Sequence, residues 1–120
     1  MVLGYMKKND EEYKTLWKGT ESRYTAEHLR AGETVICVGH GNSMTPILLD
    51  KQEVVLEPVG PETELTKKDI VLSKVRGNHY LHMIHAIQGD RFLIGNNHGH
   101  MNGWVRREKI YGKVKEVLYD

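Results

Sequence analysis

From Glu33 onward the sequence is a succession of short segments rich in Val, Ile, Leu and Tyr, and this pattern constrains the fold more than any other feature. Several segments alternate apolar and polar residues, which is typical of strands with one buried face. Turn-forming residues at 60–61, 76–78, 88–90 and 95–103 separate them. The segments are TVICVGH, EVVLEPV, DIVLSKV, HYLHMIHAI, RFLIG and IYGKVKEVLY. So many short strands in so few residues predict a mainly β, strongly coiled domain over residues 32–120.

The first 31 residues follow a different pattern. Asp10 is placed to cap a helix over EEYKTLWK, whose apolar residues share one face, and Gly19 follows as a stop signal. Thr25 could cap a second short helical turn over AEHLR. We therefore expect residues 1–31 to form a helical N-terminal segment packed on the β domain.

Composition excludes several classes of function. The 17 Lys and Arg residues nearly balance the 16 Asp and Glu residues, so no strong field would attract nucleic acid. Cys37 is the single cysteine and cannot form an internal disulfide, which fits a reducing compartment. No apolar run reaches the roughly 18–20 residues that span a bilayer, and the N-terminus becomes charged too early for a secretory signal. These features predict a soluble, cytoplasmic protein with no membrane anchor in this chain and no nucleic-acid partner.

A serine stands in a glycine-flanked turn after the first predicted strand, in the stretch GHGNSMTPIL (39–48). This residue, Ser43, lies where a strand end can present it from a rigid scaffold. Glycines before it let the backbone bend closely, so main-chain N–H groups nearby could bind an oxyanion. On local residues alone an ordinary turn serine is the more common case.

The stretch GNSMTPIL resembles the G-x-S-M-x-P nucleophile box of type I signal peptidases and LexA-like self-cleaving repressors. Other segments follow in that superfamily's order, from Gly32 to Leu118. LTKKDIVLSKV resembles its "GDIV" strand, HYLHMIHAIQGDRFLIGNN resembles the segment that carries its general base, and IYGKVKEVL is similar to its closing strand. The resemblance implies a coiled β catalytic domain with Ser43 as nucleophile and no cofactor. It also implies that the residues around the serine form its oxyanion site and substrate pocket, namely Gly41, Asn42, Met44 and Pro46.

The resemblance also points to the base. Most members place a lysine seven residues before the glycine of a "GD" turn, and here that position holds His82, as in the endoplasmic-reticulum-type signal peptidases. Histidine titrates near neutrality, whereas a lysine must lose several pKa units through burial before it can accept a proton. Because side chains alternate along a strand, His82 and His85 cannot both face the serine. We expect His82 to face Ser43 and His85 to point away.

The third member of the catalytic set departs from the family pattern. Histidine-type relatives draw an acid from the "GDN" turn, where this chain has Asn96, and Asp90 is a less favoured substitute. Asn96 could accept a hydrogen bond from the imidazole and hold its tautomer, but an amide stabilises the imidazolium less well than a carboxylate does.

Three functions are therefore compatible with the sequence. The first is a serine endopeptidase that cleaves an extended peptide segment of a protein or peptide substrate, with small residues preferred before the cut, as the resemblance implies. The second is a catalytically weakened module that keeps the fold and binds peptide or protein. The third is a metal-binding domain, in which His98 and His100 join His82 or His85 as ligands.

Overall fold

In residues 3–120, backbone hydrogen bonds join nine strands into one curled sheet, onto which a short α-helix packs. The structure is a computed structural model that describes residues 3–120. The mainly β fold predicted from the sequence is confirmed. The strands are β1 (Gly4–Lys7), β2 (Lys18–Thr20), β3 (Val35–Val38), β4 (Glu53–Pro58), β5 (Ile70–Val75), β6 (Asn78–Gln88), β7 (Arg91–Gly95), β8 (Met101–Arg106) and β9 (Ile110–Tyr119). The helix α1 covers Arg23–Arg30, and 3-10 turns cover Glu11–Tyr13 and Arg107–Lys109.

The strand order is β2-β3-β4-β9-β5-β6-β7-β8, with β1 paired to β9 outside this path. The last strand is therefore central, since it pairs with β1, β4 and β5 along different parts of its length. All six segments predicted as strands form β3 to β7 and β9. Within residues 32–120, β8 is the strand that was not predicted, because the glycines and asparagines of its stretch predicted a turn.

Side chains on the two faces of the sheet form separate apolar clusters. Alternation along β6 sends Leu81 and Met83 into the cluster beneath α1, and it sends Ile84 into the cluster on the opposite face. This agrees with the register predicted for the strand that carries His82. Within residues 3–120, no helix is long and apolar enough to cross a membrane.

The prediction of a helix over EEYKTLWK is wrong. Asp10 does cap its first turn, because its side chain accepts a hydrogen bond from the N–H of Glu12 at 3.0 Å. Only the 3-10 turn follows, and the chain then extends into β2, which pairs in parallel with β3. A sheet edge satisfies backbone groups that a short helix would leave to water, so tertiary pairing overrides local propensity. Residues 4–7 and 18–20 thus belong to the sheet, and α1, capped by Ser22, is the helical part of this segment.

The helix approaches the sheet closely at Gly112 of β9. A Cβ atom built there would lie 2.7 Å from Leu29 Cδ1 and 3.3 Å from the carbonyl oxygen of Glu57. We expect Gly112→Ala to lower the free energy of unfolding by about 1–3 kcal/mol, because a packed contact must open to admit the methyl group. Urea denaturation would measure this loss. Gly60→Ala is the matched control, since a Cβ there meets nothing within 4 Å, and an equal loss in both variants would contradict the prediction.

Candidate active site

Ser43 lies in the turn that connects β3 to β4. Gly41, two residues earlier, has a φ of +88° and donates its N–H to Asp50 Oδ1 at 2.7 Å. A side chain would strain the backbone in this conformation, so glycine is the residue that allows the turn to close. The turn is thereby fixed to the residues that lead into β4.

The turn between β7 and β8 holds the serine from the other side. The N–H of Asn97 donates to the carbonyl oxygen of Ser43 at 2.8 Å, and Asn97 Nδ2 donates to the carbonyl oxygen of Thr45 at 2.9 Å. His98 Nε2 donates to the carbonyl oxygen of Asn42 at 3.0 Å. Three residues of the serine turn are therefore bound to one neighbouring loop, which restricts the directions in which the hydroxyl can point.

His82 meets this hydroxyl from β6. Its side chain is 7% exposed, and its Nε2 lies 3.2 Å from Ser43 Oγ. Its Nδ1 lies 2.7 Å from Oδ1 of Asn102 in β8. Since a carbonyl oxygen only accepts, Nδ1 carries the proton, and Nε2 keeps the lone pair that can accept the serine proton. Asn102 therefore holds the imidazole in the tautomer that a general base requires.

Asn102 makes the contact with His82 that was predicted for Asn96. The Asn96 side chain does not contact the imidazole: its Oδ1 accepts hydrogen bonds from the N–H groups of His98 and His100 at 2.8 and 2.9 Å. Its role is to shape the turn between β7 and β8. Asn96 was predicted from its place in the "GDN"-like turn, whereas the asparagine that contacts His82 lies in β8, within a stretch whose glycines and asparagines predicted a turn. Because β8 was not predicted as a strand, Asn102 was not identified as the partner of His82.

The other histidines lie outside the Ser43–His82 contact. His85 Nε2 donates to the carbonyl oxygen of Asn96 at 2.7 Å, so this ring nitrogen is bound to the turn between β7 and β8 and not to Ser43 Oγ. His98 binds the serine turn, and His100 is exposed. Among residues 3–120, no group of three or more His, Cys, Asp or Glu side chains is arranged to hold a metal ion.

A depression of about 20 Å³ opens beside Ser43. Gly41 and Met44 line it, whereas Asn42 and the exposed Pro46 lie outside its lining. Within residues 3–120, the backbone N–H groups of Ser43 and Met44 donate to no protein acceptor. These two N–H groups can bind an oxyanion without breaking an existing bond. The small volume suits a small side chain next to the bond that reacts.

The environment of His82 lowers its pKa below the usual 6.5. Burial is the main cause. The hydrogen bond that His82 donates to Asn102 and the charge of Glu21 oppose it in part, while His100 and His85 act in the same direction as burial. If His82 is a base, hydrolysis should rise with pH through this lowered pKa and become constant by about pH 7, because only neutral imidazole accepts the proton. A pH–rate profile beside an NMR titration of His82 would test this, and a rate that keeps rising well above pH 7 would contradict it.

Stability should follow the same titration. In the unfolded chain His82 takes up a proton near pH 6.5, whereas the folded protein resists that proton until a lower pH. The free energy of unfolding contributed by this group should therefore fall as the pH drops below about 6.5, and it should stop falling below the folded-state pKa. Urea unfolding of wild type and His82→Gln at several pH values isolates this contribution.

Comparison of the sequence with protein-family models and with curated proteins finds no match.

Proposed function

We propose that this protein is a serine endopeptidase in which Ser43 is the nucleophile and His82 the general base. The observation that carries the proposal is the chain of contacts from Ser43 Oγ to His82 Nε2 at 3.2 Å, and from His82 Nδ1 to Asn102 at 2.7 Å. A serine hydroxyl is a weak nucleophile unless an oriented base removes its proton. The resemblance of GNSMTPIL to the signal peptidase and LexA-like nucleophile box supports the same interpretation.

The reaction would proceed in two stages. Ser43 Oγ attacks the carbonyl carbon of a peptide bond while His82 Nε2 takes the hydroxyl proton, and the N–H groups of Ser43 and Met44 bind the oxyanion that forms. His82 then gives its proton to the leaving amine, the C–N bond breaks, and an acyl-enzyme ester remains. Water, deprotonated by His82, attacks this ester and releases the new carboxyl group together with Ser43.

The sheet offers a place for an extended substrate. Residues 78–82 of β6 pair with β5 on one side, and pairing with β7 begins only at Met83 on the other. This leaves an open strand edge beside His82, and extended peptides bind such edges through main-chain hydrogen bonds. The small depression beside Ser43 favours Gly, Ala or Ser before the cut.

A peptide-binding module with weakened catalysis is the second candidate. The observation that favours it is the neutral Asn102 at His82 Nδ1, where catalytic triads carry an acid. The analogous replacement of aspartate by asparagine in a triad costs about four orders of magnitude in turnover.

Incubation with a peptide library that contains small residues, followed by mass spectrometry, tests the proposal. We expect the wild type to cut peptides after small residues and Ser43→Ala to cut none. Cleavage that survives Ser43→Ala would reject Ser43 as the nucleophile. Binding without cleavage by the wild type would favour the module.

A further inference from the structure

Glu21 is an acidic residue of the site that the proposed reaction does not use. It directly follows β2, and its carboxylate joins two separate parts of the chain. Oε1 accepts a hydrogen bond from the N–H of His40 at 3.2 Å, and Oε2 accepts one from the N–H of Leu81 at 3.2 Å. His40 lies in the turn that leads to Ser43, and Leu81 immediately precedes His82. The carboxylate thus binds one backbone donor in the turn that leads to Ser43 and one in the residue next to His82.

The same residue lines two cavities. Glu21 lines the depression beside Ser43, and it also lines an open groove of about 800 Å³ that runs along residues 77–80. The groove is wide enough for a peptide, whereas the depression is small. Glu21 is therefore common to the groove and to the depression that Ser43 lines.

The contact with Leu81 involves the open edge of β6. In an antiparallel pair, the backbone groups of alternate residues point to opposite edges of a strand. The N–H of Leu81 points away from β5, towards the edge of β6 that pairs with no strand at residues 78–82. Glu21 Oε2 accepts the hydrogen bond from this N–H. A peptide that adds to this edge as a strand requires the same N–H for one of its carbonyl oxygens.

We infer that Glu21 is an internal competitor of the peptide substrate: its carboxylate occupies the backbone donors of His40 and Leu81, and peptide reaches Ser43 only after the carboxylate leaves. The inference rests on the proposed function, because it takes the open edge of β6 as the route to Ser43. A protein that binds its ligand only in a released state shows an affinity reduced by the fraction of molecules in that state. Removing the carboxylate should therefore tighten peptide binding.

The experiment measures binding in the Ser43→Ala background, where cleavage cannot obscure it. The probe is a fluorescent pool of N-acetylated, C-amidated octapeptides with alanine at the two central positions, and the readout is fluorescence anisotropy. We expect Glu21→Ala to lower the Kd by about tenfold, which corresponds to release in roughly one molecule in ten before the change. Glu27→Ala is the matched control, because it removes the same charge from an exposed position in α1 and should leave the Kd unchanged.

Glu21→Gln provides a second variant in case the alanine variant is poorly folded. Its amide offers one acceptor oxygen and presents an N–H group to the other donor, so it should give an intermediate Kd. An unchanged or weaker affinity in both Glu21 variants would overturn the inference, and so would a failure of every variant to bind the pool. Tighter binding in a protein that cleaves nothing would support the inference while rejecting the proposed hydrolysis, so the two failures are distinguishable.

Discussion

Replacing Ser43 by alanine is expected to lower the rate constant for peptide hydrolysis by about 10⁴-fold or more, because the acyl-enzyme can no longer form. His82→Ala should cause a comparable loss, since the hydroxyl then has no base at 3.2 Å. The double variant should be little worse than either single one, because residues that act as a unit have non-additive effects. Single-turnover cleavage of a selected peptide, followed by mass spectrometry, measures all three rates.

His85→Ala is the matched control for this series. It removes a histidine from the same strand, but one whose side chain binds the carbonyl oxygen of Asn96 and not Ser43. The rate should stay within a few-fold of the wild type. A loss in His85→Ala equal to that in His82→Ala would indicate that both changes act by disturbing β6, and it would remove the support for His82 as the base.

Replacing Asn102 by aspartate is the second change with a large expected effect. A carboxylate at Asn102 Oδ1, 2.7 Å from His82 Nδ1, would stabilise the imidazolium that forms in both steps. Turnover should rise by about 10- to 100-fold, less than the full 10⁴-fold effect of a triad acid, because Asn102 already holds the correct tautomer. The pKa of His82 should rise as well, and the pH–rate profile should move to higher pH with it.

Asn96→Asp is the control for this substitution, since it adds the same charge to a neighbouring turn without contacting the imidazole. Its side chain would still accept the N–H groups of His98 and His100. We expect a much smaller gain in rate than in Asn102→Asp. Equal gains would indicate a general effect of added negative charge instead of a specific bond to Nδ1.

The central part of the fold was predictable because its signals are local. Each strand from β3 to β7 shows an apolar pattern over a few residues, and turn-forming residues such as Arg76-Gly77, both with positive φ, mark the hairpins. The contact of Ser43 with His82 was expected from the resemblance to the signal peptidase and LexA-like segments, and the alternation along β6 adds only that His82 and His85 cannot both face the serine. The strand prediction needs only the period of a strand and the position of a turn.

The remaining features depend on contacts between distant segments. β1 and β2 are short and mostly exposed, and they form because β9 and β3 offer edges to pair with. Asn102 reaches His82 only because β8 pairs with β7, and Glu21 reaches His40 and Leu81 only because β2 pairs with β3. No periodicity within 18–23 or 100–106 contains this information.

The position of β9 has a consequence for how the protein acquires its structure during synthesis. The last strand forms hydrogen bonds with β1, β4 and β5. Because β9 joins them, β1 and β5 cannot become part of one sheet until residues 110–119 have left the ribosome. Pairings between such distant segments carry a large loop-closure cost and slow the folding of β proteins. A ribosome-bound chain that stops before residue 110 should therefore be sensitive to protease even though it contains Ser43, His82 and Asn102, and resistance should appear in one step once β9 is complete.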